Sequence, residues 1–292
     1  MARQSQGRKP QAAPPTKGAA PGTPASKLSP EEEREVDKRG LANPRIVHEV
    51  VRLQGEEELD RGWTSLVASG VAAGVSISAS VLAKAFLLAG LPKDAAWTPL
   101  VAAFGYTVGF VIVIMGRLQL FTETTVTAVL PVATQPTLAN LGRLGRLWGL
   151  VLVANLTGSL FVAFLIAKGL ILSPEHRTAV LELSRAALAH DVPTLILLGI
   201  PAGFLVASIA WILPNAQGQE IWIIILITWV VGIGDFSHVV AGSTEAFVLW
   251  CSGEIGFGQT FGGFILPALL GNIIGGTGLF AVLAHGTVRG DL

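Results

Sequence analysis

Residues 220–251 read EIWIIILITWVVGIGDFSHVVAGSTEAFVLWC, an apolar run with a polar interruption at Asp235, Ser237 and His238. As one straight helix its 32 residues would run about 48 Å, against a hydrocarbon core of about 30 Å. Cutting at the interruption leaves 220–234 and 239–251, each too short to cross alone. One crossing built from two half-helices meets the length, with irregular backbone between them. A membrane tolerates such backbone only where it is buried or lines a cavity. The stretch 98–133 repeats the problem with 36 residues, interrupted by Arg117, Gln119, Thr122, Glu123, Thr124 and Thr125. Runs at 64–91, 147–172, 194–214 and 260–286 have ordinary spanning length. The pattern predicts an all-α integral membrane protein with six transmembrane helices, the second and fifth of them broken.

Charge is distributed accordingly. Residues 1–61 hold 11 of the 20 Lys/Arg and 10 of the 20 Asp/Glu, so the zero net charge averages a charged N-terminal part and a nearly uncharged body. No basic excess is available for nucleic acid. One cysteine, Cys251, excludes an internal disulfide or a multi-thiolate metal site. No catalytic group, metal or cofactor is predicted.

Residues 1–30, rich in Pro, Ala, Gly, Lys and Ser, read as a disordered tail without a secretory leader. Residues 31–62 read as charged or amphipathic cytoplasmic helices. Ser29-Pro30 opens one of these, and Asn43-Pro44 opens another with Ile46, Val47, Val50, Val51 and Leu53 on its apolar stripe. The channel domain is expected over 63–286 and a cytoplasmic C-terminus over 287–292. Arg143 and Arg146, in an expected loop 134–146, join the tail in placing both termini on the cytoplasmic side.

The chain also reads as duplicated, with repeat one at about 63–172 and repeat two at about 193–286. Ala154-Asn155-Leu156-Thr157-Gly158 answers Gly271-Asn272-Ile273-Ile274-Gly275, and the spacing from Thr122 to Asn155 nearly equals that from His238 to Asn272. Three crossings per half force opposite orientations, an aquaporin-like inverted repeat. Polar groups at the two breaks are costly in a membrane unless used or paired, which makes them the site candidates.

These residues resemble the formate/nitrite transporter family. The likeness lies in Leu120-Phe121-Thr122, in Phe236-Ser237-His238-Val239-Val240-Ala241, and in Gly271-Asn272-Ile273-Ile274-Gly275-Gly276. Glu56-Glu57-Glu58-Leu59, Ser69-Gly70 and Ala73-Gly74 add to it. The resemblance covers roughly 55–286. It implies a homopentamer in the bacterial inner (plasma) membrane, with one pore per protomer for small monovalent anions such as formate or nitrite. It implies a central pore histidine, His238, that supplies and later recovers a proton, with Thr122 as its polar partner. Leu120 and Phe121 would belong to an apolar constriction, with Tyr106 and Phe110 on its cytoplasmic side and Phe236 beside the histidine. Asn155 and Asn272 match helix-packing or pore-facing asparagines. The chain departs from the family pattern at Ser237, Gly242-Ser243 and Val231, and carries Glu123 and Glu245 where the well-known formate channels are uncharged, which marks a divergent branch.

Glu123, Glu245 and Asp235 are candidates for charge relay or gating, with Arg117 or Lys84 as expected partners of the two glutamates. His48, His176, His190 and His285 fall near segment ends and are expected to be solvated. Two Asn-Pro-Ala motifs, needed for a water channel, are absent. Ser237 and His238 are adjacent and cannot face each other on regular backbone, which argues against an intramembrane hydrolase. The alternative to a channel is a non-transporting membrane scaffold or sensor on a channel fold.

Overall fold

The computed structural model describes residues 43–288, and every regular element among them is a helix. The expected helix at Ser29-Pro30, the tail and the last four residues lie outside the described residues. Helix α1 (Pro44–Asp60) starts where Asn43 Oδ1 accepts the Arg45 N–H at 3.0 Å and Pro44 occupies the first turn. Its buried face is Val47, His48, Val51, Gly55 and Leu59, whereas Ile46, Val50 and Leu53 are exposed. This keeps Val47 and Val51 of the predicted stripe and corrects it at Ile46, Val50 and Leu53. The docking face is set by Gly55, where a Cβ would strike the Thr127 carbonyl, rather than by the most apolar residues.

The body follows as α2 (Trp63–Gly90), α3 (Thr98–Met115), α4 (Phe121–Thr127), α5 (Val129–Thr134) and α6 (Leu138–Ala167). Then come α7 (Pro174–Ala187), α8 (Val192–Ile212), α9 (Glu220–Ile233), α10 (Val239–Cys251) and α11 (Gln259–Val288). Five of them, α2, α3, α6, α8 and α11, are long and apolar enough to cross a membrane. Helix α3 reaches that length by itself. Helix α11 widens to π-type winding over Gln259–Ile265 and Ile274–Ala281, a device that helices use where the ladder must bend around neighbours.

Residues 138–146 are not a loop. Thr137 Oγ1 accepts the Asn140 N–H at 3.2 Å and starts α6 at Leu138. Arg143 reaches Asp60 at 2.7 Å and Glu56 at 3.2 Å, while Arg146 donates to the carbonyls of Leu59 and Arg61. The two arginines are therefore tolerated in helix because α1 supplies their partners.

Helix α2 packs on α3 and α6, and α8 packs on α11. Close approach depends on two glycines: a Cβ at Gly74 would overlap the Asn155 main chain, and one at Gly203 would overlap that of Asn272. Helix α7 lies across α10 and α2. The Arg185 guanidinium grips Glu254 through two bonds of 2.7 Å, which ties α7 to the end of α10.

Candidate functional site

The chain leaves helix between α3 and α4 and again between α9 and α10. Both departures are built alike. Gly116 and Gly234 each donate to the carbonyl four residues back, those of Ile112 and Val230. The next residues, Arg117 and Asp235, take left-handed backbone at φ 49° and 51°, and Leu118 and Phe236 then donate five residues back, to Val113 and Val231. Asparagines close the construction. Asn155 Oδ1 accepts the Phe121 N–H at 2.9 Å, and its Nδ2 donates to Gly70 O at 2.8 Å and Gln119 O at 2.9 Å. Asn272 Oδ1 accepts the Val239 N–H at 2.8 Å, and its Nδ2 donates to Gly199 O at 2.9 Å and Ser237 O at 2.8 Å. Each asparagine satisfies a first-turn N–H that no helix partner reaches, together with carbonyls of the irregular segment.

These matched pairs put the two breaks in register with an offset of 118 residues, Arg117 with Asp235 and Phe121 with Val239. His238 therefore answers to Leu120, and Thr122 answers to Val240. The spacing that set Thr122 opposite His238 as repeat partners is corrected by two positions. The two still meet: His238 Nε2 and Thr122 Oγ1 are 2.8 Å apart. Because the Ala241 N–H donates to His238 Nδ1 at 3.2 Å, the proton of the neutral ring sits on Nε2 and is donated to the Thr122 hydroxyl. That leaves the Thr122 hydroxyl hydrogen available to a further acceptor. Both side chains are buried.

Around this pair, Phe110 lays its ring edge-on to His238 at 5.0 Å, and Tyr106 follows at 5.3 Å from Phe110. Leu120 and Phe121 are buried in the core, with Phe121 against Trp148. Two cavities approach from opposite ends. One, about 30 Å³, is lined by His238, Phe236, Tyr106, Lys84, Asp235 and Glu245, together with Ala187 and His190 at the end of α7. The other, about 610 Å³, lies beside α1 and is lined by Glu58, Arg61, Arg117, Gln119, Glu123 and Glu220 among others. Tyr106 thus lines the cavity on the α7 side, where the expectation placed it on the side of the N-terminal helix. The reason is the direction of α3, which brings Met115 and Arg117, not Tyr106, to the α1 side.

Lys84 pairs with Asp235 at 3.5 Å rather than with either glutamate, and Asp235 is mostly exposed there. Neither Glu123 nor Glu245 forms an ion pair or side-chain hydrogen bond among the described residues. His48 is not solvated: it is buried and lies 3.1 Å from His285 Nδ1 through its Nε2, edge-on to Trp211. Burial, then the neighbouring His285, holds the His48 pKa below the ordinary histidine value. His176 lies against the Phe86 ring, centroids 4.6 Å apart and tilted at 50°.

Sequence reasoning gave Glu58 no role beyond the family's acidic triplet. The structure turns it inward from α1 to accept the Thr127 hydroxyl at 2.6 Å, and burial pushes its carboxyl up to about 7. Arg61 joins it by donating to Gln119 at 3.1 Å. The one signal available was its place three residues after Gly55, one helical turn along the docking face.

Residues 45–286 match the sequence profile described as "Formate/nitrite transporter". The chain belongs to the formate/nitrite transporter family. It is 40% identical over 272 residues to the inner membrane protein YfdC of Escherichia coli (strain K12), covering 90% of this chain and 86% of that one. It is 27% identical over 240 residues to the uncharacterized transporter YrhG of Bacillus subtilis (strain 168), covering 79% of this chain and 89% of that one. Among solved structures, an FNT family ion channel superposes with a TM-score of 0.63 at 18% identity, over 87% of this chain and 99% of its own. A pentameric formate channel with formate bound gives 0.61 at 19%, over 78% and 97%. The family membership rests on sequence, and the structural likeness shows a shared fold.

Proposed function

We propose that the chain is a transmembrane channel or transporter for small monovalent anions or their conjugate acids, of the formate and nitrite kind. The observation that carries this reading is the buried contact of Thr122 with His238, set where the α7-side cavity meets the start of α4. The pathway runs from that cavity, past this pair, to the cavity beside α1. Thr122 and the Nε2–H of His238 are the polar groups that replace water around the solute at the narrowest point, and apolar Phe110 walls it. Flow is coupled to protons through His238: the solute crosses the pair as a neutral acid, which has no charge to desolvate. The proton bound on entry is released on exit.

In this reading α3 with α4 and α5 forms one crossing, and α9 with α10 another, so that six crossings form two inverted halves. The matched bonds of Asn155 and Asn272 support that arrangement. The protein assembles as a homopentamer in the bacterial inner membrane with both termini cytoplasmic, supported by the pentameric formate channel that shares its fold and by its inner-membrane relative. Uptake of labelled formate and labelled nitrite into liposomes carrying the purified protein tests the reading, with empty vesicles as the control. Solute entry above that control is the expected result. The direct bond between Thr122 and His238, which leaves no room between them, is the observation favouring a scaffold without flow. A well-folded oligomer inert to both solutes would establish that alternative.

A further inference from the structure

We infer that the Phe264 ring, seated on Gly242 one turn beyond His238, sets the largest solute that reaches the Thr122–His238 pair from the α7 side. Solutes the size of formate or nitrite pass it, and acids with a longer carbon chain are held back. This rests on the transport reading above. Gly242 donates its N–H to the His238 carbonyl at 2.8 Å, so the two lie a single turn apart along α10. His238, Gly242 and Phe264 all line the small α7-side cavity. A Cβ added at Gly242 would strike the tip of the Phe264 ring, so the ring occupies the place that a side chain at 242 would take. Phe264 is buried and comes from the π-wound turn Gln259–Ile265 of α11, a winding that recurs at functional sites.

The contact has little freedom to open. Asn272 on α11 accepts the N–H of Val239 at 2.8 Å, within one turn of Gly242, and Arg185 grips Glu254 just beyond the far end of α10. With α10 held at both ends, the width of the passage follows from side-chain size. The other aromatic groups lining the cavity are engaged elsewhere: Tyr106 lies against Phe110, and the Phe236 ring folds over Gly234. The cavity measures about 30 Å³, room for about two water-sized groups. Formate carries only hydrogen on its carboxyl carbon. With its oxygens turned to Thr122 and to the Nε2–H of His238, that carbon's substituent trails toward Phe264. Hydrogen fits there, whereas a methyl or ethyl group must displace a close-packed ring.

The test uses the full-length protein in liposomes at pH 7, with labelled formate, acetate and propionate, each counted above empty vesicles. Wild type should take up formate faster than acetate by roughly tenfold or more, the discrimination that one methyl group brings in a closely fitting pocket, and propionate more slowly still. Phe264→Leu and Phe264→Ala, which cut the wall back, should raise acetate relative to formate about tenfold. Gly242→Ala, which drives the ring into the cavity, should shift that ratio the other way. A merely structural role would lower all three solutes in proportion and leave the ratio unmoved. Gel filtration shows which variants assemble like wild type, and the wild-type size series decides even where one does not. A wild-type ratio near one, or an unchanged ratio in the assembled variants, overturns this proposal alone. No uptake of any of the three by wild type overturns it together with the transport reading.

Discussion

Asn155 and Asn272, 117 residues apart, make the same three hydrogen bonds: one N–H accepted at the start of a helix, and two carbonyls served, one on a neighbouring helix and one in the irregular segment. Both side chains are fully buried. Truncation leaves the first-turn N–H and the carbonyl of the irregular segment without a partner, each worth about 1–3 kcal/mol, while the helical carbonyl keeps its bond within the helix. Asn155→Ala and Asn272→Ala should each cost about 3 kcal/mol or more, read as a lowered midpoint of thermal unfolding in detergent. A cost below about 1 kcal/mol would mean that water or a shifted backbone replaces the asparagine.

Gly74 and Gly203 press against the main chains of these same asparagines. Gly74→Ala and Gly203→Ala should separate α2 from α6 and α8 from α11, costing about 1–3 kcal/mol from overpacking alone. Gly262, where an added Cβ meets nothing, is the control and should tolerate alanine. Thermal unfolding of the three variants side by side distinguishes backbone contact from a general dislike of alanine.

Much of this was legible in the sequence. Helical membrane character follows from segment length and apolarity, and Asp235, Ser237 and His238 stand out as polar residues in an apolar run. The register of the two halves was not legible, because His238 answers to Leu120 and the two share no chemistry. The shared feature is left-handed backbone at Arg117 and Asp235, for which side chains give no cue. Lys84 is 151 residues from Asp235 and His48 is 237 from His285, so those partnerships depend on how helices pack. Glu58 looked like one more charge on a charged helix until Gly55 set which face docks.

Glu58 gives α1 a pH dependence. Its carboxyl rises from the ordinary 4.5 to about 7 in the docked helix, through burial that outweighs the hydrogen bonds from Thr127 and Gln119. A proton is thus held more tightly with α1 docked than with α1 released. The stabilisation is complete below about pH 4.5 and is lost as pH rises through about 7. Hydrogen exchange over residues 44–60, corrected for its intrinsic pH dependence, should show α1 opening more readily at pH 8 than at pH 5. Glu58→Gln should flatten that difference. Identical profiles for the two proteins would show that Glu58 does not govern docking.

Arg117 holds φ 49°, a conformation that costs a residue with a side chain about 1–2 kcal/mol and glycine almost nothing. Arg117→Gly should therefore be neutral or stabilising by up to about 1 kcal/mol in thermal unfolding. Asp235→Gly relieves the same strain but releases Lys84, so it should be the less favourable of the two. The reverse order would mean that the Lys84–Asp235 pair contributes nothing.

In the proposed function, solute and proton cross together at the Thr122–His238 pair. The most direct measurement traps a pH-sensitive dye inside liposomes carrying the protein, then adds formate outside at fixed external pH. Formate should acidify the interior in step with its uptake in wild type, and both signals should collapse in His238→Ala. Uptake without acidification, or uptake and acidification unchanged in His238→Ala, would contradict a proton-coupled path through His238.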